Sequence, residues 1–295
     1  MNKDSGEEIL KRIKNALEAA VESICSFIPG ATAAEFKVGD DPITEADRRA
    51  NCVLREALSH DGEGWLSEES FDDLTRLNYE RVWIVDPLDG TREFVAGIPE
   101  WCVSVGFVEN GRAMAGGICN PATRELFLGA VGQGITLNGK TVHTSSCRDL
   151  SGAVILASRS EVKRGDWECF RQAPFVTRPM GSVAYKLALV AAGLADGTWT
   201  LEPKSEWDIA GGVALVEAAG GFARKIDGSP IRFNQKFTRL PGLLACGPYL
   251  LEEITSFLDN ASAPAQLDRN EQWEGTFQFK KGSYGDEDEK RGRSA

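Results

Sequence analysis

The chain has 295 residues, 42% of them hydrophobic, and a formal net charge of -11 at pH 7. That length admits one large or two modest domains with a substantial apolar core. An acidic chain repels polyanions, so binding to nucleic acid or to a membrane is not expected, whereas a small anionic substrate remains compatible with locally bound cations.

Cysteine usage and the first residues predict a cytoplasmic location. The seven cysteines are scattered and form no C-x-x-C pair, which is typical of a reduced compartment. Met1 to Glu8 is acidic and polar, so no secretory signal is expected, and no apolar run is long enough for a membrane span. The cysteines are Cys25, Cys52, Cys102, Cys119, Cys147, Cys169 and Cys246.

Two amphipathic helices are predicted at the start of the chain. The first runs from Glu7 to Phe27, and after a polar loop from Lys37 to Ile43 the second is expected to run from an N-cap at Thr44 through Leu58. Asp47 then lies in its first turn. The apolar positions of the first helix recur at helical spacing. They are Ile9, Leu10, Ile13, Leu17, Val21 and Ile24.

Two carboxylate-bearing segments come next. Trp65 to Ser70 delivers the adjacent glutamates Glu68 and Glu69, of which only one can face a given site. Val82 to Val85 predicts a short buried strand. The residues that follow the strand are Asp86-Pro87-Leu88-Asp89-Gly90-Thr91.

The break after this strand predicts a site for a hard cation. Pro87 removes a ladder donor and is expected to end the strand, while Gly90 permits a sharp turn. Asp86 and Asp89, with the Leu88 carbonyl, offer the oxygen ligands that Mg²⁺ prefers. An ordinary strand followed by an Asp turn is the alternative, because Asp, Pro and Gly are common turn residues.

Antiparallel hairpins are predicted next. The strand-like runs are Val103 to Val108, Ala113 to Cys119 and Glu125 to Leu128, separated by the turn signals Asn110-Gly111 and Asn120-Pro121. Asn138-Gly139 is expected to close a further hairpin.

After about Leu150 strands and helices alternate, which predicts an α/β lobe. The predicted helices are Ser182 to Ala192 and Ile209 to Ala219, with Asp208 as the N-cap of the second. Asp208 as a cap alone is the alternative to a role as a ligand. The predicted strands are Ala153 to Ala157, Gly197 to Leu201 and one from Phe222 onward.

The supply of histidine limits the chemistry. The chain has only His60 and His143, both expected on surface loops and neither at a spacing typical of metal ligands. Phosphohistidine chemistry and a zinc site built on imidazoles are therefore disfavoured.

Four short motifs occur in one order along the chain. They are Thr44-Glu45-Ala46-Asp47, Ser67-Glu68-Glu69-Ser70, Asp86-Pro87-Leu88-Asp89-Gly90-Thr91 and Trp207-Asp208. Their order and spacing, from about Ala16 to about Leu250, resemble the inositol monophosphatase family of metal-dependent phosphatases. Within that family, Arg81-Val82-Trp83 and Thr91-Arg92-Glu93-Phe94 look most similar to bacterial 3'(2'),5'-bisphosphate nucleotidases.

The resemblance implies a set of ligands for two or three Mg²⁺ ions. One ion would be bound by Glu68, Asp86 and the Leu88 carbonyl. A second would be bound by Asp86, Asp89 and Asp208, so that Asp86 bridges the two, and a third, weaker ion would lie near Glu68.

The resemblance also implies the catalytic and substrate-binding residues. Glu68 would be catalytic through its ion, and Asp47 with Thr91 would orient and deprotonate the attacking water. Gly90 and Thr91 amides are expected to hold the phosphoryl oxygens. The predicted substrate contacts are Gly90, Thr91, Arg92, Ser182 and Lys186. Ser182 and Lys186 are equally compatible with a plain capped helix that carries an exposed lysine, and Arg92 would contact either a second phosphate or only solvent.

The expected fold is an α/β, two-lobed, layered α-β-α-β-α sandwich of the inositol monophosphatase and fructose-1,6-bisphosphatase type. Residues 1–148 would form an N-terminal α+β lobe with most metal ligands, 149–260 a C-terminal α/β lobe, and 261–295 a disordered tail. The expected partner is a small phosphorylated metabolite, and a homodimer is left open.

The preferred substrate is 3'-phosphoadenosine 5'-phosphate. Inositol monophosphate is the first alternative, followed by histidinol phosphate and fructose 1,6-bisphosphate. Glu202 lies about one position away from where an inositol phosphatase would place its hydroxyl-binding acid, which weakens the inositol assignment. An inactive relative that binds phosphate ligands is the alternative of another class.

Overall fold

The computed structural model describes residues 3–36 and 42–262. Within these ranges the chain forms two large sheets, two small two-stranded sheets and seven α-helices. No helix in the described ranges is long and apolar enough to cross a membrane.

The larger sheet has seven strands in sequence order, all antiparallel neighbours except the first pair, which is parallel. Alternate residues of its strands point to opposite faces, and both faces are buried. The strands are β3 (Gly64–Ser67), β4 (Arg81–Asp89), β5 (Cys102–Glu109), β6 (Arg112–Asn120), β7 (Glu125–Ala130), β8 (Gly134–Leu137) and β9 (Lys140–Val142).

The second sheet has five strands in the order β11-β10-β12-β16-β14 and contains both parallel and antiparallel pairs. Its strands are β10 (Val154–Ser158), β11 (Val176–Met180), β12 (Gly197–Trp199), β14 (Phe222–Lys225) and β16 (Leu243–Cys246). The two small sheets pair β1 (Ala34–Phe36) with β2 (Pro42–Thr44) and β13 (Lys204–Ser205) with β15 (Arg239–Leu240).

The helices complete five layers. The helices α1 and α2 pack on the outer face of the larger sheet, α5 and α6 lie between the sheets, and α7 covers the outer face of the second sheet. The α-β-α-β-α sandwich predicted from the sequence is thus confirmed. The helices are α1 (Lys3–Ile24), α2 (Glu45–Leu58), α3 (Thr91–Ala96), α4 (Arg159–Arg164), α5 (Val183–Ala191), α6 (Glu206–Ala218) and α7 (Leu251–Ser262).

The larger sheet is formed entirely from residues before 148 and the second sheet entirely from residues after it. The division into two lobes at that point stays a prediction. The predicted tail lies outside the described residues, except that Ala261 and Ser262 belong to α7.

The predicted hairpins and the second helix are confirmed, but two boundaries near the start of the chain were wrong. The loop predicted up to Ile43 lies outside the described residues in part, and Pro42 and Ile43 belong to β2, because β1 supplies the ladder partners. The first helix runs from Lys3 to Ile24 instead of from Glu7 to Phe27. Gly6 does not delay its start, because a single glycine costs only about 1 kcal/mol in a helix.

The helix α6 approaches β6 closely near the middle of the helix. A Cβ added at Gly116 would lie 2.2 Å from the Gly211 carbonyl oxygen, a separation that only a backbone shift can relieve. The absence of a side chain at Gly116 therefore lets α6 pack directly on the sheet.

We expect Gly116→Ala to lower the free energy of unfolding by about 2 kcal/mol, because the methyl group overpacks this contact. Urea unfolding measures the loss. Gly132→Ala is the control, since its added Cβ has open space and only a left-handed backbone to strain. Equal losses in the two variants would contradict the close packing of α6.

Candidate active site

One cleft of about 630 Å³ brings the predicted site residues together. It lies where the end of β4 meets the starts of α4, α5 and α6. The predicted residues that line it are Glu68, Asp86, Leu88, Asp89, Gly90, Thr91, Arg92, Ser182, Lys186 and Asp208. Asp47 does not line the cleft, but it accepts a hydrogen bond from Thr91, which does.

Three carboxylates form the centre of the cleft. Glu68, Asp86 and Asp208 each place one oxygen within 4.8 Å of the others, a spacing that suits a single metal ion. Of the adjacent pair Glu68 and Glu69, the chain presents Glu68 to the cleft. Asp86 is only 2% exposed, so its charge has little access to water.

The electrostatics of these groups fit a bound cation. Burial, followed by the charges of Glu68, Asp89 and Asp208, raises the pKa of Asp86 well above its ordinary value. Burial and the charges of Asp89 and Glu68 raise the pKa of Asp208 to about 7. Buried like charges are costly unless a cation or a proton neutralises them. Hard oxygen donors in this arrangement match Mg²⁺.

Asp89 is held differently from these three. Its Oδ2 accepts hydrogen bonds from Ser182 Oγ and from the Ala184 amide, both at 2.6 Å. It lies outside the three-membered group, although its charge raises the pKa of both Asp86 and Asp208. The assignment of Asp89 to a second ion stays a prediction.

The backbone after Val85 does not end the strand as predicted. The strand β4 continues to Asp89, but its pairing with β5 is irregular between Asp86 and Asp89 and resumes at Cys102. Pro87 removes a ladder donor without ending the strand, because a bulge absorbs it. The Leu88 amide donates to Asp86 Oδ1 at 3.0 Å and so orients that carboxylate.

Gly90 turns the chain from β4 into α3. Its φ of +96° lies in the left-handed region, and an added Cβ would lie 2.8 Å from the Glu100 carbonyl oxygen. Only glycine fits this position without a shift of the backbone. Thr91 consequently begins α3 with its side chain at the cleft.

Asp47 and Thr91 form a hydrogen-bonded pair behind the carboxylates. Thr91 Oγ1 lies 3.0 Å from both Asp47 Oδ1 and the Leu88 carbonyl oxygen. The other oxygen of Asp47 accepts from the Thr44 amide at 2.8 Å and its hydroxyl at 2.6 Å, which closes the capping box of α2. Burial raises the pKa of Asp47 despite these hydrogen bonds.

Asp208 is not the N-cap that the sequence predicted. The helix α6 begins at Glu206 with Ser205 as its N-cap, and Asp208 is the third helical residue, whose Oδ2 accepts from the Ser205 amide at 2.8 Å. The capping box explains the error, because its Asp follows the cap by three positions. Asp208 is consequently held at the helix start and faces the cleft.

Ser182 and Lys186 are less available than the sequence suggested. Ser182 is the N-cap of α5, as predicted, and its hydroxyl donates to Asp89. Lys186 is 1% exposed, so it is not an exposed lysine, and its Nζ donates to the carbonyls of Met180 and Gly181 at 3.3 Å. Burial lowers the pKa of Lys186 to about 8. Their contact with a substrate stays a prediction, as does that of the exposed Arg92.

Several residues of the cleft wall were not predicted from the sequence. Lys204 and Arg239 lie on the paired strands β13 and β15, next to Trp207. Arg159 donates to Glu100 at 2.6 Å and Arg164 lies 3.4 Å from Glu202. Strands of two residues have no periodicity, so the sequence carries no signal for this wall.

Comparisons with known proteins identify the family of this chain. The model of the inositol monophosphatase family matches residues 3–262. An inositol-1-monophosphatase of Rhizobium meliloti (strain 1021) is 34% identical over 198 residues, covering 64% of this chain and 73% of that protein. The Nus factor SuhB of Escherichia coli (strain K12) is 33% identical over 211 residues, covering 68% and 78% respectively.

A solved structure shows the same fold. CysQ from Bacteroides thetaiotaomicron, a bacterial member of the inositol monophosphatase family, matches with a TM-score of 0.69 and 27% identity over 82% of this chain and 97% of its own. Fold and carboxylate cluster together define a metal-dependent phosphatase. The chain belongs to the inositol monophosphatase family, whose members are Mg²⁺-dependent hydrolases.

Proposed function

We propose that the protein is a 3'(2'),5'-bisphosphate nucleotidase that converts 3'-phosphoadenosine 5'-phosphate to AMP and phosphate. The observation that supports this substrate is the wall formed by Lys204, Trp207 and Arg239 beside the carboxylate cluster. A nucleoside bisphosphate has a flat base and a second phosphate, whereas inositol offers only hydroxyl groups besides its single phosphate.

The wall suits both parts of such a nucleotide. Trp207 is partly exposed in the cleft and offers a ring on which a base can stack. Lys204 and Arg239 form no ion pair with another described residue, and both line the cleft where an anion would bind. The charge of Lys204 also lowers the pKa of Asp89 and Asp208, against the larger effect of burial, so Arg239 is the cation that these carboxylates leave uncommitted. Charge-assisted contacts to a phosphate contribute about 1.5–3 kcal/mol each.

The carboxylate cluster would hold the metal. Glu68, Asp86 and Asp208, with the Leu88 carbonyl and Asp89, are the residues we assign to two or three Mg²⁺ ions. Bound Mg²⁺ neutralises phosphate charge and lowers the pKa of water.

Asp47 and Thr91 would move the proton of the attacking water. The Thr91 hydroxyl has one hydrogen to donate to Asp47 or to the Leu88 carbonyl, which leaves a lone pair to accept from water. As water attacks phosphorus and the bond from phosphorus to the 3' oxygen breaks, one proton of the water passes to Thr91 and the Thr91 proton passes to Asp47, while the leaving 3' oxygen takes a proton from solvent. The raised pKa of Asp47 favours its accepting that proton.

We expect Thr91→Ala to lower kcat about a hundredfold, because it removes the group that orients the water while leaving the metal ligands in place. Steady-state kinetics measures the rate, and the Mg²⁺-induced rise in melting temperature reports metal binding. Thr91→Ser retains the hydroxyl and is the matched control. An unchanged kcat in Thr91→Ala would remove Thr91 from the mechanism.

A side-by-side measurement of kcat/KM tests the substrate. With Mg²⁺ present, we expect 3'-phosphoadenosine 5'-phosphate to exceed inositol 1-phosphate by about tenfold or more, the factor that one extra charge-assisted contact supplies. The reverse preference would establish the alternative substrate. That alternative is favoured by the 34% identity to an inositol-1-monophosphatase.

The test extends to the remaining alternatives. Histidinol phosphate and fructose 1,6-bisphosphate complete the panel. Turnover of none of the four esters, with phosphate ligands still bound, would favour an inactive ligand-binding relative.

A further inference from the structure

Two buried side chains, the guanidinium of Arg76 and the carboxylate of Glu206, form hydrogen bonds with the same pair of residues, Asn234 and Gln235. Arg76, in the short 3₁₀ helix Thr75–Asn78 between β3 and β4, donates from Nη1 to Asn234 Oδ1 at 2.8 Å and from Nη2 to the Gln235 carbonyl oxygen at 2.9 Å. Glu206 Oε2 accepts a hydrogen bond from the backbone amide of Asn234 at 2.7 Å, and Glu206 Oε1 accepts one from the backbone amide of Gln235 at 2.9 Å. Arg76 and Glu206 are each 1% exposed. We call these four residues the clamp.

The clamp is more specific than ordinary packing. A fifth residue, Asp72, accepts a hydrogen bond from Arg76 Nη2 at 2.8 Å. Asn234 returns two hydrogen bonds through Nδ2 to the carbonyls of Arg76 and Tyr79 and has a φ of +57°. Burying an arginine and a glutamate is costly unless their hydrogen bonds are satisfied. Arg76 and Glu206 therefore stay buried only while Asn234 and Gln235 keep these hydrogen bonds.

The clamp is close in sequence to a residue that lines the cleft. Four residues after Gln235, Arg239 lines the cleft, and the intervening Phe237 is exposed and adds little packing of its own. The Glu206 amide donates to the Thr238 carbonyl at 2.8 Å, and Arg239 pairs with Ser205 across β13 and β15. The segment 234–239 is thus anchored at its start by the clamp and at its end by the edge of α6.

We propose that Arg76 and Glu206 are positioning residues that set substrate specificity by fixing Arg239 at the cleft. This inference rests on the proposed function, because it assigns Arg239 to the second phosphate of a nucleoside bisphosphate. The clamp joins a turn of the larger sheet to a loop that is 158 residues away in sequence. It carries no group that touches the reacting phosphate, so its loss acts on KM and not on kcat.

Two variants weaken the clamp while keeping local geometry. Arg76→Lys keeps the charge but cannot make the forked contacts to Asn234, Gln235 and Asp72 together. Asn234→Gly keeps the left-handed backbone and removes the side chain that Arg76 holds. Arg224→Lys is the matched control, because Arg224 pairs with Glu217 away from the cleft.

Kinetics supplies the first measurement. We expect Arg76→Lys and Asn234→Gly to raise KM for 3'-phosphoadenosine 5'-phosphate about fivefold or more, to leave its kcat within about twofold, and to leave KM for 3'-AMP, which lacks the second phosphate, unchanged. In an Arg239→Ala background the same substitutions should have no further effect on KM, since the residue they position is absent.

Amide hydrogen exchange supplies a measurement that does not depend on the substrate. Exchange in residues 234–240 should rise in both clamp variants and stay unchanged in Arg224→Lys. Unchanged exchange, an equal rise of KM for both nucleotides, or an undiminished effect in the Arg239→Ala background would each overturn the inference. A variant that does not fold leaves the decision to the other one.

Measurements on the wild-type protein distinguish failure of the proposed function from failure of the inference about the clamp. If it shows no preference for the bisphosphate over 3'-AMP and inositol 1-phosphate, the proposed function fails whatever the variants do. If it shows that preference and the clamp variants retain it, only the inference about the clamp fails.

Discussion

Replacing Asp86 with Asn is expected to lower kcat by about a thousandfold or more and to leave the metal-free protein at least as stable as the wild type. Asp86 is the most buried of the three clustered carboxylates, and its pKa is raised by burial and by the charges of its acidic neighbours. Removal of its charge relieves that repulsion in the folded state. The same change removes a carboxylate that we assign to the metal site, where stabilisation of charge amounts to several kcal/mol.

The opposite signs of these effects distinguish a metal ligand from a structural carboxylate. Replacing a buried acid that only supports the fold would lower the free energy of unfolding, because the groups that donate hydrogen bonds to it would be left unpaired. Thermal unfolding with and without Mg²⁺ measures both quantities. In Asp86→Asn, Mg²⁺ should no longer raise the melting temperature as it does in the wild type.

Asp61→Asn is the control for this experiment, because Asp61 is exposed on a loop away from the cleft. It should retain both the rate and the response to Mg²⁺. A wild-type rate in Asp86→Asn, or a metal-free protein that is markedly less stable than the wild type, would refute the role of Asp86.

The carboxylates could be predicted from the sequence because local backbone rules place them. Asp86 and Asp89 lie in the last part of β4 and Gly90 follows it directly, so Gly90 marks the strand end in the sequence, whereas Pro87, which was expected to mark it, lies inside the strand. Asp208 was recognised as a residue at a helix start, although Ser205 and not Asp208 is the cap. Such signals involve only a few neighbouring residues, so they survive without knowledge of the tertiary structure.

The cleft wall could not be predicted in this way. Lys204 and Arg239 line the same cleft because two strands of two residues pair, and the register of so short a pair is set by distant contacts. Nothing in the sequence around Arg76 indicates that this residue donates a hydrogen bond to Asn234, which is 158 residues away. Lys186, predicted at helical spacing from Ser182, is buried because α5 is packed between the two sheets, which its local sequence does not reveal.

The response of stability to pH should depend on Mg²⁺. In metal-free protein the free energy of unfolding is expected to fall as pH rises from about 4 to 7. Asp208 has a pKa of about 7 in the folded state against an ordinary value of 3.8, and the pKa values of Asp86 and Asp89 are also raised. In this window the folded state therefore binds more protons than the unfolded state, and deprotonation destabilises it.

Saturating Mg²⁺ should reverse most of this loss, because a cation bound by the cluster favours its charged forms. We expect the stabilisation by Mg²⁺ to be larger at pH 7.5 than at pH 5 by on the order of 2 kcal/mol, as measured by urea unfolding. Lys186 does not obscure the comparison, because with a pKa lowered to about 8 its destabilising contribution is nearly constant between pH 5 and 7.5 and is lost only as pH rises further.

Glu206 provides an internal reference for the pH experiment. Its pKa is also raised to about 7, chiefly by burial, but it accepts amide hydrogen bonds in the clamp and lies outside the carboxylate cluster. Its contribution should remain in Asp86→Asn, whereas the Mg²⁺-dependent part should disappear. A pH dependence that is equally steep with and without Mg²⁺ in the wild type would show that the cluster does not bind the ion, and the proposed metal centre would then be wrong.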